Sequence, residues 1–194
     1  MSNLDYWRGD EGNLYTLRQP ETHAADSLQR IIRPWASDIH TVLEVGCNRG
    51  DNLGAFDCDV VGVEPNLYAR KIARERGYGV MDAPAHSLPF PDNTFDLVFT
   101  VGVLIHIPPY ALEPSLKEIF RVSRRYILAV EYESPTVKPI DYRGVRAGIW
   151  KRPYGLEYTK RFPGLTVEGK GLAGECFDGC RWWMLEKHPL ALAA

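Results

Sequence analysis

The sequence predicts an α/β fold: a mostly parallel, seven-stranded sheet with helices on both faces and an antiparallel last strand. Three observations carry this expectation. Short apolar runs alternate with segments of helical periodicity from about residue 28 to residue 130. Turn signals built on glycine separate them, as strand-to-helix junctions require. Towards the end the rhythm changes, and residues 165–172 and 180–187 alternate like a hairpin, with Asp178 and Gly179 as turn material.

At 194 residues and 45% hydrophobic content, the chain can bury one core without disulfides or structural metal, so a single domain is expected over residues 1–194. A formal net charge of −2 argues against a protein that mainly grips nucleic acid phosphates. The first residues lack the cationic-then-apolar layout of a signal peptide, and no apolar run approaches membrane-spanning length. A cytoplasmic protein with no membrane or nucleic acid partner is expected, as a monomer or homodimer. Cys176 and Cys180 have no second Cys/His pair at zinc spacing, which favours reduced structural thiols and no metal.

In chain order, residues 6–20 combine Tyr6, Trp7 and Tyr15 with Gly9 and Gly12 and show no clean period. They read as an ordered lid arm rather than a regular element. Leu28, Ile31, Ile32 and Trp35 fall at helical spacing and give an amphipathic helix beside the first strand. Val42, Leu43 and Val45 suit a buried parallel strand, after which Gly46 and Gly50 let the backbone turn sharply and approach a ligand. A brief helix over about residues 51–56 precedes a second strand at 60–63, which ends at Glu64, Pro65 and Asn66. Asn66 can cap a helix running through Ala73, with Gly77 as its stop. Residues 78–81 make a third strand ending at Asp82, and residues 95–101 a fourth. Pro108 and Pro109 open a helix with Leu112, Leu116, Ile119 and Phe120 on its apolar face, and residues 126–130 form the fifth strand. Residues 133–162 hold Pro135, Pro139 and Pro153, break the alternation, and read as a lid insertion with one short helix after Pro153.

Ligands of parallel sheets lie beyond the carboxyl ends of the strands, where Glu44 and Glu64 stand. A carboxylate ending the second strand is the usual acceptor for ribose hydroxyls, and one beside the glycine turn can orient backbone or a cationic ligand group. The plainer alternative is that both cap helices. A nicotinamide dinucleotide needs Gly-x-Gly-x-x-Gly, but Gly46-Cys47-Asn48-Arg49-Gly50 lacks the middle glycine. A smaller ligand with adenosine and no phosphate fits better.

Glu44 to Gly50, Val63-Glu64-Pro65, Asp82-Ala83, Leu88-Pro89-Phe90 and Phe95 to Phe99, in that order, resemble the class I S-adenosylmethionine-dependent methyltransferases over roughly residues 41–130. The resemblance implies a Rossmann-like fold and S-adenosyl-L-methionine as cofactor. Glu44, Gly46 and Asn48 would surround its methionine part, Glu64 would hold the ribose, Asp82 with Ala83 would meet the adenine, and Cys47, Gly50 and Pro65 belong to the same cofactor site. Thr100, Val101 and Gly102 complete the set. Asn48 stands where a glycine is common, but asparagine tolerates left-handed backbone, so the turn should survive.

A narrower likeness covers nearly the whole chain. Tyr6-Trp7-Arg8-Gly9, Gly102 to Pro108, Arg125 to Leu128, Glu131-Tyr132, Ser134-Pro135 and Tyr142-Arg143-Gly144 resemble the small methyltransferases associated with pseudaminic acid biosynthesis. That likeness implies that Trp7, Tyr15 and Arg18 fold over the cofactor, with Arg18 paired to its carboxylate.

His106 follows the fourth strand, close to where the methyl group should sit, and can act as base or orienter; a local structural role is the alternative. Methyl transfer from a sulfonium is mainly in-line positioning, and a base matters only if the acceptor must lose a proton. Glu131 and Tyr132 end the fifth strand and join His106 as candidate catalytic residues. Trp7, Tyr142, Arg143, Trp150 and Arg152 are the candidate substrate residues. Between residues 133 and 162, seven basic residues face three acidic ones, and this net +4 points to an anionic acceptor. A solvated basic loop is the competing reading. The expected function is methyl transfer to a small acidic acceptor, such as a modified sugar or carboxylic metabolite. Methylation of tRNA or protein, and a non-catalytic S-adenosylmethionine-binding module, are the alternatives.

Overall fold

The strands follow the apolar runs. In the computed structural model, which describes residues 3–20, 24–142 and 144–188, β1 (Thr41–Val45), β2 (Asp59–Val63), β3 (Gly79–Met81), β4 (Phe95–Val101) and β5 (Ser123–Glu131) run parallel. A separate hairpin, β6 (Lys138–Tyr142) and β7 (Val145–Lys151), precedes β8 (Leu165–Leu172) and β9 (Arg181–Lys187). The seven-stranded sheet has the order β3-β2-β1-β4-β5-β9-β8, and β9 is antiparallel to both neighbours. Between β1 and β4 the strand order reverses direction, which opens a crevice at their carboxyl ends. Register places Val45 beside Val63, so Gly46 and Glu64 leave the sheet at one level.

Period-2 alternation divides each strand between two cores. Leu43, Val98 and Ile127 pack under α5 (Pro109–Val122) and α6 (Tyr154–Arg161), against Leu112, Leu116 and Tyr158. Val42, Leu97, Phe99 and Leu128 pack on the other face with Leu28, Ile31 and Ile32 of α3 (Ala24–Ile32). The helix α4 (Leu67–Glu75) is capped as its sequence predicts: Asn66 Oδ1 accepts from the Ala69 N–H at 2.8 Å. The brief helix expected near residues 51–56 is a single 3-10 turn, Leu53–Ala55. No helix among the described residues is long and apolar enough to cross a membrane.

Both segments expected to be lids are more regular than their sequences suggest. The arm is two short helices, α1 (Asn3–Arg8) and α2 (Asp10–Arg18), each too brief to display a period. The insertion is not loop before its helix but the β6–β7 hairpin, whose alternation Pro139, Gly144 and Gly148 obscure. Asn66 docks the arm, since its Nδ2 donates to Trp7 O at 2.9 Å and Asn13 Oδ1 at 3.0 Å. Gly12 has no room for a side chain: a Cβ there would lie 1.9 Å from Trp7 O and 2.7 Å from Asn66 Nδ2. We expect Gly12→Ala to unseat the arm, because overpacking costs about 1–3 kcal/mol. Cleavage within residues 3–20 under limited proteolysis should then accelerate roughly tenfold or more, with the sheet intact.

Candidate active site

The turn after β1 is held by hydrogen bonds across the strand ends. Gly46 N–H and Cys47 N–H both donate to Val63 O, at 2.8 and 3.1 Å. Gly46 (φ +78°) and Asn48 (φ 48°) adopt left-handed backbone, which glycine enters freely and asparagine tolerates. A Cβ on Gly46 would also meet Val103 Cγ2 at 2.6 Å. Glu64 closes the cradle: Oε2 accepts from Asn48 N–H at 2.9 Å and Oε1 from Asn66 N–H at 2.8 Å. Burial raises its pKa, while the two N–H groups favour the charged form. Each carboxylate oxygen has a second lone pair, so both can also accept from a diol. Thr16 of the arm donates to Asn48 Oδ1 at 3.0 Å and lays α2 across the turn.

Glu44 lies beneath this cradle. Its Oε1 accepts from Asn52 Nδ2 at 2.6 Å, Oε2 has no partner among the described residues, and burial pushes the pKa up to about 8. Between the ordinary carboxylate value of 4.5 and about 8, the native state therefore holds a proton that the unfolded chain releases. Stability must fall as pH rises through that window. Urea unfolding at pH 5 and pH 8 should show a smaller fall for Glu44→Gln than for the natural chain.

On the far side of the crevice, Glu131 at the end of β5 receives three consecutive backbone N–H groups. Val103 and Leu104 donate to Oε1 at 3.1 and 3.0 Å, and Ile105 donates to Oε2 at 3.4 Å. The carboxylate thus caps the 3-10 turn Leu104–His106 and fixes where His106 emerges. The His106 ring meets Trp7, Tyr15 and Tyr142 edge to face, with centroids 4.5, 5.9 and 5.6 Å away. Arm, β4 turn and hairpin converge on this one imidazole. Burial lowers its pKa to about 4, so the ring is neutral near pH 7, and its buried Nδ1 has no partner among the described residues. Tyr15, pressed into the same cluster, has its phenol pushed up to about 12, first by burial. A cavity of about 1010 Å³ runs from the Gly46 cradle past His106 to the hairpin.

Residues 43–126 match the family described as "Methyltransferase domain". The sheet order and the cradle at the ends of β1 and β2 agree with that match. Over this stretch, less than half of the chain, the sequence is similar to a methyltransferase domain. Among curated proteins, the chain is 36% identical over 130 residues to the sterol 24-C-methyltransferase of Aspergillus fumigatus, a match covering 56% of this chain and 33% of that protein. Across the curated sterol methyltransferases it matches, the chain spans 30% to 46% of their lengths. The magnesium protoporphyrin IX methyltransferase of Synechocystis PCC 6803, solved with bound SAH, superposes with a TM-score of 0.72 at 14% identity, over 95% of this chain and 97% of that one. The 1,6-didemethyltoxoflavin-N1-methyltransferase of Burkholderia thailandensis superposes with a TM-score of 0.71 at 16% identity, over 96% and 87%. At these identities the structural likeness is one of fold.

Within this fold the cavity gathers most of the residues expected at the site. Gly46, Cys47, Asn48, Glu64, Pro65 and Ala83 line it together with Val101, Gly102, Trp7, Tyr15, His106, Tyr132 and Tyr142. Eight expected residues do not reach it. Glu44, Thr100 and Glu131 are buried behind the wall, and Gly50 (φ +83°) closes the turn against Tyr78. Asp82 is exposed and pairs with Arg8 at 3.1 Å and Arg70 at 3.0 Å. Arg18 is exposed on α2. Trp150 and Arg152 lie on the opposite face of the hairpin strand from Ile149 and Lys151, which do line the cavity. Arg143 lies outside the described residues. The cysteines are free, and Cys176 and Cys180 both border the cavity.

Several residues at the site went unrecognised in the sequence. Asn66 was legible as a helix cap but not as the hinge that also ties the arm. Asn52, Lys151 and Asp178 line the cavity from segments read as brief helix, basic loop and turn. Hairpin alternation is the signal that would have selected Lys151 over its neighbours.

Proposed function

We propose that this protein transfers the methyl group of S-adenosylmethionine to a small, acidic acceptor bound in the same cavity. The observation that carries the reading is the cradle of Gly46, Asn48 and Glu64, open into a cavity that continues to the neutral His106 and the two lids. A side chain at Gly46 would collide with Val103 beside this cradle, and the Glu64 carboxylate presents acceptor lone pairs suited to vicinal ribose hydroxyls. The bound sulfonium supplies an electrophilic methyl group. The chain's own part is to hold donor and acceptor in register and to exclude water, which the arm and the hairpin do by meeting at His106. An unpartnered His106 Nδ1 supports a role in orienting an acceptor hydroxyl or taking its proton; a carboxylate acceptor needs no such base.

The motifs shared with the pseudaminic acid biosynthesis-associated methyltransferases support a modified sugar as acceptor. Not all of the insertion's net +4 reaches the cavity, because Arg152 is buried and does not line it. Enclosure of His106 by both lids favours a small molecule over tRNA or protein. Two measurements test the proposal: calorimetry with S-adenosylhomocysteine, and mass spectrometry of products from labelled donor incubated with acidic sugars and metabolites. Binding without methylation of any acceptor or cell extract would favour the non-catalytic module.

A further inference from the structure

Three neighbouring polar groups line the cavity: Lys151 at the end of β7, Tyr132 just after β5, and Asp178 in the β8–β9 connection. Taking the methyl-transfer reading as given, we propose that these three form the acceptor subsite and select a hydroxylated acid, a small molecule with a carboxylate or similar anion beside free hydroxyl groups.

Lys151 is the cationic anchor. It lines the cavity and, among the described residues, makes no ion pair or hydrogen bond; its ammonium lies 5.4 Å from the centroid of the Tyr132 ring. In the hairpin register Lys138 stands directly opposite Lys151, as Ile140 stands opposite Ile149. Directly paired residues project from the same face of a ribbon, and Ile140 and Ile149 both line the cavity. Two lysines therefore share the cavity-facing side of a two-stranded hairpin. Like charges at directly opposed positions are unfavourable, and an anion between them reverses the sign of that interaction.

Asp178 supplies the complementary element. Its Oδ2 accepts from the Tyr132 hydroxyl at 2.8 Å, which leaves the carboxylate as an acceptor-only group at the cavity edge. Its left-handed backbone (φ 47°) ends the 3-10 turn Glu175–Phe177 and is followed by Gly179 (φ 74°), so the connection bends tightly there. Among the described residues Lys151 and Asp178 form no ion pair with each other, so the ammonium and the second Asp178 oxygen can meet a ligand. An anion answers the ammonium, and hydroxyl donors answer the carboxylate. A wholly apolar acceptor would leave both charges facing it unmatched, and a cationic one would meet Lys151. Sites built around such polar groups reject analogues lacking the matching group more strongly than apolar pockets reject a missing methylene.

The test uses the full chain saturated with S-adenosylhomocysteine and four probes titrated by calorimetry: glucuronate, glucose, glucosamine and hexanoate. These carry anion with hydroxyls, hydroxyls alone, cation with hydroxyls, and anion alone. Glucuronate should bind tighter than each of the others by roughly tenfold or more. Lys151→Met should erase its advantage over glucose while Lys151→Arg keeps it, and Asp178→Asn should reduce its advantage over hexanoate. S-adenosylhomocysteine affinity should stay unchanged in these variants, which certifies their folding. The proposal is overturned if glucuronate binds no better than glucose or hexanoate, or if its preference survives Lys151→Met. Failure of the natural chain to bind S-adenosylhomocysteine would instead refute the methyl-transfer reading beneath it.

Discussion

Glu64→Ala should lower the affinity for S-adenosylhomocysteine by roughly a hundredfold or more. Two losses combine. The ribose loses its acceptor, and the N–H groups of Asn48 and Asn66, which donate to the carboxylate at 2.9 and 2.8 Å, lose theirs. An orphaned buried donor costs about 1–3 kcal/mol, and each 1.4 kcal/mol is about tenfold in binding. Damage should also spread, because Asn48 is left-handed without being glycine and Asn66 docks the arm. Glu64→Gln separates the parts, since its single amide oxygen can answer only one of the two N–H groups. Its affinity should fall between those of the natural chain and the alanine variant. Equal affinity for all three chains, measured by calorimetry, would remove Glu64 from the cofactor site.

The parts of this protein legible in sequence are those fixed locally. A five-residue apolar run, a glycine at positive φ and an asparagine before a helix each carry their reason within a few positions, so β1, its turn, β2 and the cap of α4 could be read directly. Parallel register then brought Gly46 and Glu64 to one level, as the fold class requires. What escaped depends on partners distant in sequence. Asp82 follows β3 as expected, but Arg70, on α4, and Arg8, in the arm, claim its oxygens. Glu131 ends β5 as expected, yet its carboxylate turns back beneath the β4 turn instead of into the cavity. The insertion's basic residues were countable, but which of them face the ligand is decided by pairing in a hairpin whose glycines and proline hide its period.

Glu131 illustrates why a buried carboxylate near a site need not touch the reacting atoms to govern them. It acts as a positioning residue, gathering the N–H groups of Val103, Leu104 and Ile105 and thereby setting His106 among Trp7, Tyr15 and Tyr142. Glu131→Gln keeps the size but replaces one acceptor oxygen with an NH2 group facing backbone donors, so the turn must shift. A displacement of about 1 Å can cost roughly a hundredfold in turnover. We therefore expect kcat to fall by roughly ten- to a hundredfold, a larger loss than in S-adenosylhomocysteine affinity, which the shifted turn reaches only through Val103 beside Gly46. The pH profile separates this role from a general loss of stability. Burial raises the Glu131 pKa to about 7, so ionisation, which completes all three hydrogen bonds, occurs as pH rises through neutrality. His106, lowered to about 4, is already neutral there and cannot produce the same inflection. Turnover in the natural chain should rise through about pH 7, and Glu131→Gln should lose that rise. If the variant kept both the inflection and the natural kcat, Glu131 would be a packing residue only, and His106 would owe its place to the aromatic rings alone.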